Sequence, residues 1–255
     1  LARASSFVPD ALWDALSPVG AVLDGVLLDM YGTLTAGDRA AVEEVCRLVI
    51  ADTGVRISAR QLSVVWGERF FAELDHCNDE HFQTLFEIEA RTLRYTMAEL
   101  GIDIDPHPYA WLLTDYWRNP PLQPEVPAFL AEFPLPICIV SNADRDDLAC
   151  ALKRHGIRVA GAVTSEEVRA YKPSPKLFLE ALRRTGWNPQ RVLHVGDSLH
   201  SDVGGARAAG LRSGWVNRAH RIHDIGADQP DYEFGDLMEL LVLVRRLLGV
   251  TERPR

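Results

Sequence analysis

Short apolar runs that stop on an acid, a hydroxyl or a small residue punctuate the chain. Residues 22–29, Val-Leu-Asp-Gly-Val-Leu-Leu-Asp, close on Asp29. Similar runs occupy Pro136–Ser141, Arg191–Gly196 and Arg212–Asn217. They lack the strict alternation of a strand wetted on one face, and so predict buried parallel strands. Helical spacing predicts helices over 144–155, 174–185 and 199–210, and an amphipathic helix over Asp236–Leu248 closing the sheet. Strand and helix in alternation predict an α/β fold built on a doubly wound parallel sheet.

Residues 38–117 carry a different pattern. Arg39–Ala51, Ser58–Leu74, Glu80–Leu100 and Pro108–Trp117 all show helical spacing, with Phe82, Leu85, Phe86, Ile88, Leu93 and Met97 broadly on one face. No strand interrupts them. An all-helical insert over 36–119 is expected, flanked by a core domain of residues 1–35 and 120–255. Its borders are Thr35–Asp38 and the Pro-rich Asn119–Pro124. Residues 36–120 hold 15 Asp/Glu against 8 Lys/Arg, most of the chain's acidic excess.

Composition narrows the function classes. The 255 residues are 47% apolar and 25% charged, ordinary for a globular protein with a real core. A formal net charge of −9 argues against a general nucleic-acid binder. No apolar run approaches the ~20 residues of a membrane span. The first twenty residues lack a basic start followed by an apolar core, so no signal peptide is expected. Cys46, Cys77, Cys138 and Cys150 form no C-x-x-C pair and are expected to be reduced thiols of a cytoplasmic protein. Arg253–Arg255 is expected to fray.

Candidate chemistry gathers after the strands, where open α/β sheets bind ligands. Asp29-Met-Tyr-Gly-Thr-Leu34 follows the first, Ser141-Asn142 the second, and Gly196-Asp197-Ser198 with Asp202 the third. Lys172 lies just before a helix, and is one of only three lysines among 27 basic residues. Alone, each has a plain role as a turn residue, helix cap or solvated charge. Together, three carboxylates at one edge need a cation, and oxygen-only ligands suit Mg²⁺, which commonly partners phosphates. Asp29 is then placed as a carboxylate nucleophile on phosphorus. Asp197 holds Mg²⁺, with Asp202 as a further ligand or a partner behind it. Thr33 and Ser141 donate to phosphoryl oxygens, the backbone N–H groups of Tyr31, Gly32 and Thr33 add anion donors, and Lys172 neutralises charge.

These residues resemble the haloacid dehalogenase superfamily, in the subgroup with a helical cap after the first strand. The resemblance rests on Val26–Leu34, Ile139–Asn142, Val163–Lys176 and His194–Ala206, with Ala209-Gly210 and Trp215–Arg218 also similar. Four motifs in order over roughly residues 25–220 are a specific signal. The resemblance implies a Rossmann-like core, an aspartate nucleophile, usually Mg²⁺, and most often phosphatase activity. It implies Asp29, Tyr31 (through its backbone carbonyl), Asp197 and Asp202 as metal ligands. It also implies Asp29, Tyr31, Thr33, Ser141 and Lys172 as catalytic, and Gly32 and Asn142 as substrate-binding.

One position departs from the pattern. The superfamily's phosphatases usually carry a second Asp two residues after the nucleophile, which protonates the leaving alcohol. This chain has Tyr31, as the superfamily's L-2-haloacid dehalogenases do, and a phenol of ordinary pKa about 10 is a poor substitute. The paired Asp197 and Asp202 point the other way, to a metal-dependent member. The expectation is a Mg²⁺-dependent phosphatase acting on a small phosphorylated metabolite, with no nucleic-acid or membrane partner. The alternatives are a metal-independent C–X hydrolase using the same Asp29, and a non-catalytic binding protein of this fold. The polar turn Asp75–Glu80 is the expected specificity segment of the cap.

Overall fold

The computed structural model describes residues 23–223 and 226–249. The first twenty residues and Arg253–Arg255 lie outside this range. Six strands form one parallel sheet: β1 Gly25–Leu28, β2 Ile137–Ser141, β3 Gly161–Thr164, β4 Val192–Gly196, β5 Arg212–Val216 and β6 Tyr232–Phe234. Their order is β3-β2-β1-β4-β5-β6. The order reverses at β1, so the residue after β1 sits at the switch point where such sheets bind ligands.

Strand side chains point alternately to the two faces, and each face buries its own cluster. Val26, Leu28, Ile137, Ile139, Leu193 and Val195 pack with Val126 and Phe129 of one helix and Leu237, Leu240, Leu241 and Val244 of another. Leu27, Cys138, Val140, Val163 and Val192 pack on the opposite face against Leu177, Phe178, Ala181 and Ala206. This two-sided burial explains why the central strands read as continuous apolar runs. β3 and β6 escaped the apolar pattern because they are short edge strands, and β6 alternates buried, exposed, buried over three residues.

Between β1 and β2 run five helices: α1 Asp38–Thr53, α2 Ala59–Leu74, α3 Leu85–Glu99, α4 His107–Trp117 and α5 Val126–Glu132. The first four form the cap. They enclose a separate core in which Val45, Cys46 and Val49 meet Leu62, Trp66, Leu93, Met97 and Leu113. The Trp66 indole N–H donates to Thr92 Oγ1 at 3.0 Å inside it. The spacing predicts one helix over Glu80–Leu100, but the structure starts it at Leu85, after a 3₁₀ turn at Asp79–His81. The cause is local. Thr84 and Glu87 form a reciprocal capping box that sets the helix start. Phe82 accordingly leaves the α3 face and stacks on Tyr171 of the core, ring centroids 5.2 Å apart.

Cap and core meet along polar ties. The Asp144 carboxylate, following β2, accepts from the Leu85 and Phe86 N–H groups at 2.8 and 3.1 Å, satisfying the open N-terminus of α3. Asn78 Oδ1 accepts from the Tyr171 N–H at 2.9 Å, and the Tyr171 hydroxyl donates to the Gln83 carbonyl at 2.7 Å. Arg118 pairs with Asp147 at 2.7 Å. The two cap linkers bond to each other, Ala36 N–H to the Pro121 carbonyl at 2.8 Å and Gln123 N–H to the Leu34 carbonyl at 2.9 Å.

Burial pushes the Asp144 carboxyl up to about 6. The folded state therefore takes up this proton at higher pH than the unfolded chain, and charging the group costs stability as pH rises from about 4 to about 6. Denaturant titrations of native protein and Asp144→Asn over that window should show the native protein losing stability relative to the variant. A constant difference would contradict this.

Candidate active site

Asp29 leaves β1 with its N–H bonded to the Val195 carbonyl at 2.9 Å, which places it between β1 and β4. The following turn folds tightly, Leu34 N–H returning to the Met30 carbonyl at 2.8 Å. Gly32 has φ +84°, and a Cβ there would sit 2.8–2.9 Å from the Asp197 carboxylate. Conformation and space both demand glycine. Arg218, after β5, clamps the outside of the turn. Its guanidinium donates to the Gly32 and Thr33 carbonyls at 3.1 and 2.8 Å and to Glu125 at 2.6 and 3.0 Å. The planar fork spans two carbonyls and a carboxylate at once, its N–H groups splayed in one fixed plane.

Lys172 lies at the centre of the site. Its Nζ donates to Asp29 Oδ1 at 2.7 Å, Asp202 Oδ1 at 2.7 Å and the Val140 carbonyl at 3.1 Å, using all three N–H groups. Burial opposes its charge, but Asp202 and Asp29 outweigh burial and hold the ammonium above its ordinary range. Asn142 secures the lysine from behind. Its Oδ1 accepts from the Lys172 N–H at 2.7 Å and its Nδ2 donates to the Lys172 carbonyl at 3.3 Å. Both ends of the Asn142 amide are therefore engaged with the Lys172 main chain.

The segment after β4 supplies two acids with different surroundings. Asp202 is 1% exposed and lies in a π-helical turn, Leu199–Gly204, begun by Ser198 as N-cap. Its carboxylate accepts from Lys172, from His194 Nε2 at 2.9 Å and from the Ser198 N–H at 3.0 Å. A Cβ on Gly196 would fall 2.1 Å from that carboxylate, so the strand end is kept bare for it. Burial holds His194 below its ordinary range, and the neutral ring then presents an N–H to Asp202. Despite burial, Lys172 and His194 hold Asp202 well below the usual carboxylate range. Asp197 has no such donors among the described residues. Burial, then the charges of Asp29 and Asp202, push it up to about 7. Burial, offset in part by Lys172, pushes Asp29 up to about 6.

Ligand oxygens of Asp29, Asp197 and Asp202 lie within 4.8 Å of one another. One ammonium faces three carboxylates, and a hard cation would balance what remains. The buried Thr33 hydroxyl faces the Asp29 carboxylate and favours its charged form. Ser141 Oγ stands 3.4 Å from Asp29 Oδ1. These residues fit a Mg²⁺ ion and an anionic ligand.

Tyr31 turns elsewhere. Its hydroxyl donates to the Trp117 carbonyl at 2.8 Å, and burial pushes its ionisation far above the ordinary range. The phenol is thus engaged at the cap linker. Asp75–Glu80 packs on the core wall, Asn78 on Tyr171, Asp75 on His200 at 3.3 Å and Asp79 on Lys176. Arg218 and His194 were legible only as members of motif-like stretches. Their clamp and brace roles needed the fold.

A haloacid dehalogenase-like hydrolase family model matches residues 23–210. The chain belongs to this family. Phosphoserine phosphatase of Thermus thermophilus is 39% identical over 140 residues, 49% of this chain and 52% of that protein, so the match spans half the phosphatase. An (S)-2-haloacid dehalogenase of Pseudomonas sp. strain YL is 27% identical over 240 residues, 91% of this chain and 98% of that one. The crystal structure of the L-2-haloacid dehalogenase RSc1362 aligns with TM-score 0.72 and 25% identity, covering 88% of this chain and 99% of that one. Dehalogenase and phosphatase relatives thus flank this haloacid dehalogenase-like hydrolase, and substrate class must be argued from the site.

Removing the ammonium while keeping the volume, as in Lys172→Met, leaves Asp29 and Asp202 buried face to face. In chelator, urea denaturation should show a loss of about 3–5 kcal/mol, the usual result of stripping one partner from a buried ion pair. A loss below about 1 kcal/mol would mean that the carboxylates do not depend on Lys172.

Proposed function

We propose that this hydrolase is a Mg²⁺-dependent phosphatase that removes phosphate from a small-molecule phosphomonoester through an aspartyl-phosphate. One observation carries the reading. Three carboxylates share a pocket with a single ammonium, and one of them, Asp197, has no donor among the described residues. Displacement of halide by a carboxylate creates no need for such an excess of acid.

Asp29, the Tyr31 carbonyl and Asp197 would hold the ion, with Asp202 behind them, and the ion supplies positive charge to the phosphoryl oxygens. A free Asp29 oxygen attacks phosphorus, forming the Asp29–phosphorus bond as the bond from phosphorus to the substrate oxygen breaks. Lys172 keeps the attacking carboxylate charged and oriented. Thr33, Ser141 and the N–H groups of Tyr31 and Thr33 receive the phosphoryl oxygens, while the Gly32 N–H is engaged by Thr35 and the bare Gly32 lets that anion approach the backbone. Asn142 acts through Lys172. Water then cleaves the acyl phosphate and returns Asp29. The Tyr31 phenol is committed to Trp117, so the leaving oxygen takes its proton from the substrate or solvent, which favours esters of weakly basic alcohols.

The acidic cap repels long polyanions and favours a small metabolite over nucleic acid. Among the described residues no helix is long and apolar enough to cross a membrane. The buried free thiols of Cys46, Cys77 and Cys138 support a cytoplasmic location. The second reading, C–X hydrolysis without metal, draws on Tyr31 and on the full-length dehalogenase relatives.

A panel of small phosphoesters and 2-haloacids, assayed with Mg²⁺ and with chelator, separates the readings. Phosphate release that needs Mg²⁺ and falls at least 10³-fold in Asp29→Asn is expected. Halide release that survives chelator would overturn the proposal in favour of the second reading. Equal inactivity of native protein and Asp29→Asn on the whole panel would point to a binding protein.

A further inference from the structure

Trp117 ends α4 at the mouth of the second cap linker, and is held from two sides. Its backbone carbonyl accepts the Tyr31 hydroxyl at 2.8 Å, and the two rings meet edge to face at 5.2 Å. Its indole N–H donates to Glu89 Oε1 at 2.8 Å. Glu89 lies inside α3, is 4% exposed, and has the indole as the only hydrogen-bond partner of its carboxyl among the described residues. The neighbouring Tyr116 hydroxyl reaches the first linker, within hydrogen-bond distance of the Ala36 carbonyl at 2.7 Å and the Asp38 carboxylate at 2.5 Å. Both linkers and the nucleophile turn therefore converge on the end of one cap helix.

We propose that Trp117 is a positioning residue that couples the seat of the cap to the turn carrying Asp29, with Tyr31 tying the turn to its carbonyl and Glu89 tying its indole to the body of the cap. Tyr31 and Glu89 share no hydrogen bond with each other, and each bonds Trp117. This gives Tyr31 a purpose that needs no proton transfer. A carboxyl buried at this interface against one neutral donor favours its protonated form, so glutamine reproduces both its shape and its acceptor.

Four variants test the idea. Tyr31→Phe keeps the ring and removes only the tie. Glu89→Leu removes the other tie, and Glu89→Gln preserves it. Each lost tie should lower kcat about tenfold, roughly what one hydrogen bond can contribute, with KM within threefold. The double variant Tyr31→Phe/Glu89→Leu should be no worse than the weaker single, and Glu89→Gln should stay within twofold of native. Amide exchange should quicken over residues 31–36 and 116–122 in both disrupting singles. Losses that multiply to about a hundredfold in the double variant would overturn the coupling. A Glu89→Gln loss equal to that of Glu89→Leu would also overturn it, by making Glu89 a proton carrier. The kinetic arm rests on the hydrolase reading, whereas the exchange arm does not. If native protein turns over nothing, quickened exchange at both segments still supports the coupling, and unchanged exchange refutes it.

Discussion

The ammonium of Lys172, shared between Asp29 and Asp202, is the constraint around which the rest of the site is arranged. Two buried carboxylates on different elements are tolerable only because this cation lies between them. The backing residues serve that arrangement. Asn142 fixes the lysine backbone, His194 and the Ser198 N–H occupy the remaining lone pairs of Asp202, and Gly196 clears the volume that carboxylate needs. Asp202 is thereby spoken for by protein donors, whereas Asp197 faces Gly32 across the nucleophile turn with its charge uncompensated. The two acids of one short motif have been given opposite electrostatic surroundings, one tied to a fixed cation and the other left without a protein donor among the described residues.

The nucleophile turn is similarly over-determined. Arg218 and Glu125 hold it from the core side, Tyr31 from the cap side, and the β1–β4 register from below. A turn held on three sides needs little reorganisation, and a preorganised frame of this kind is where electrostatic catalysis gains most. The helical insert participates in this geometry through its linkers.

Much of this was legible in the amino-acid order. The four central strands announce themselves as apolar runs because both their faces are buried, and the chemistry-bearing residues follow their ends. The cap helices appear through their spacing. What stayed hidden is what periodicity cannot carry. β3 and β6 are short edge strands. The start of α3 is set by a capping box at Thr84 and Glu87, which apolar spacing overran by five residues. The partners of Tyr31, Glu89 and Arg218 lie 28 to 186 positions away in the chain, and no local pattern marks them. Asn142 reads as a ligand contact from its place after β2, yet its amide is engaged with a main chain thirty residues on.

The capping of α3 also bears on how such proteins can be recombined. The helix belongs to the insert, but the carboxylate that satisfies its first two N–H groups is Asp144, which follows β2 in the sheet layer. The insert therefore does not carry everything its own helix needs. A cap transplanted between relatives, whether by gene shuffling or by an engineer, would arrive with two bare amides unless position 144 travelled with it, so the modular appearance of the architecture conceals a shared part.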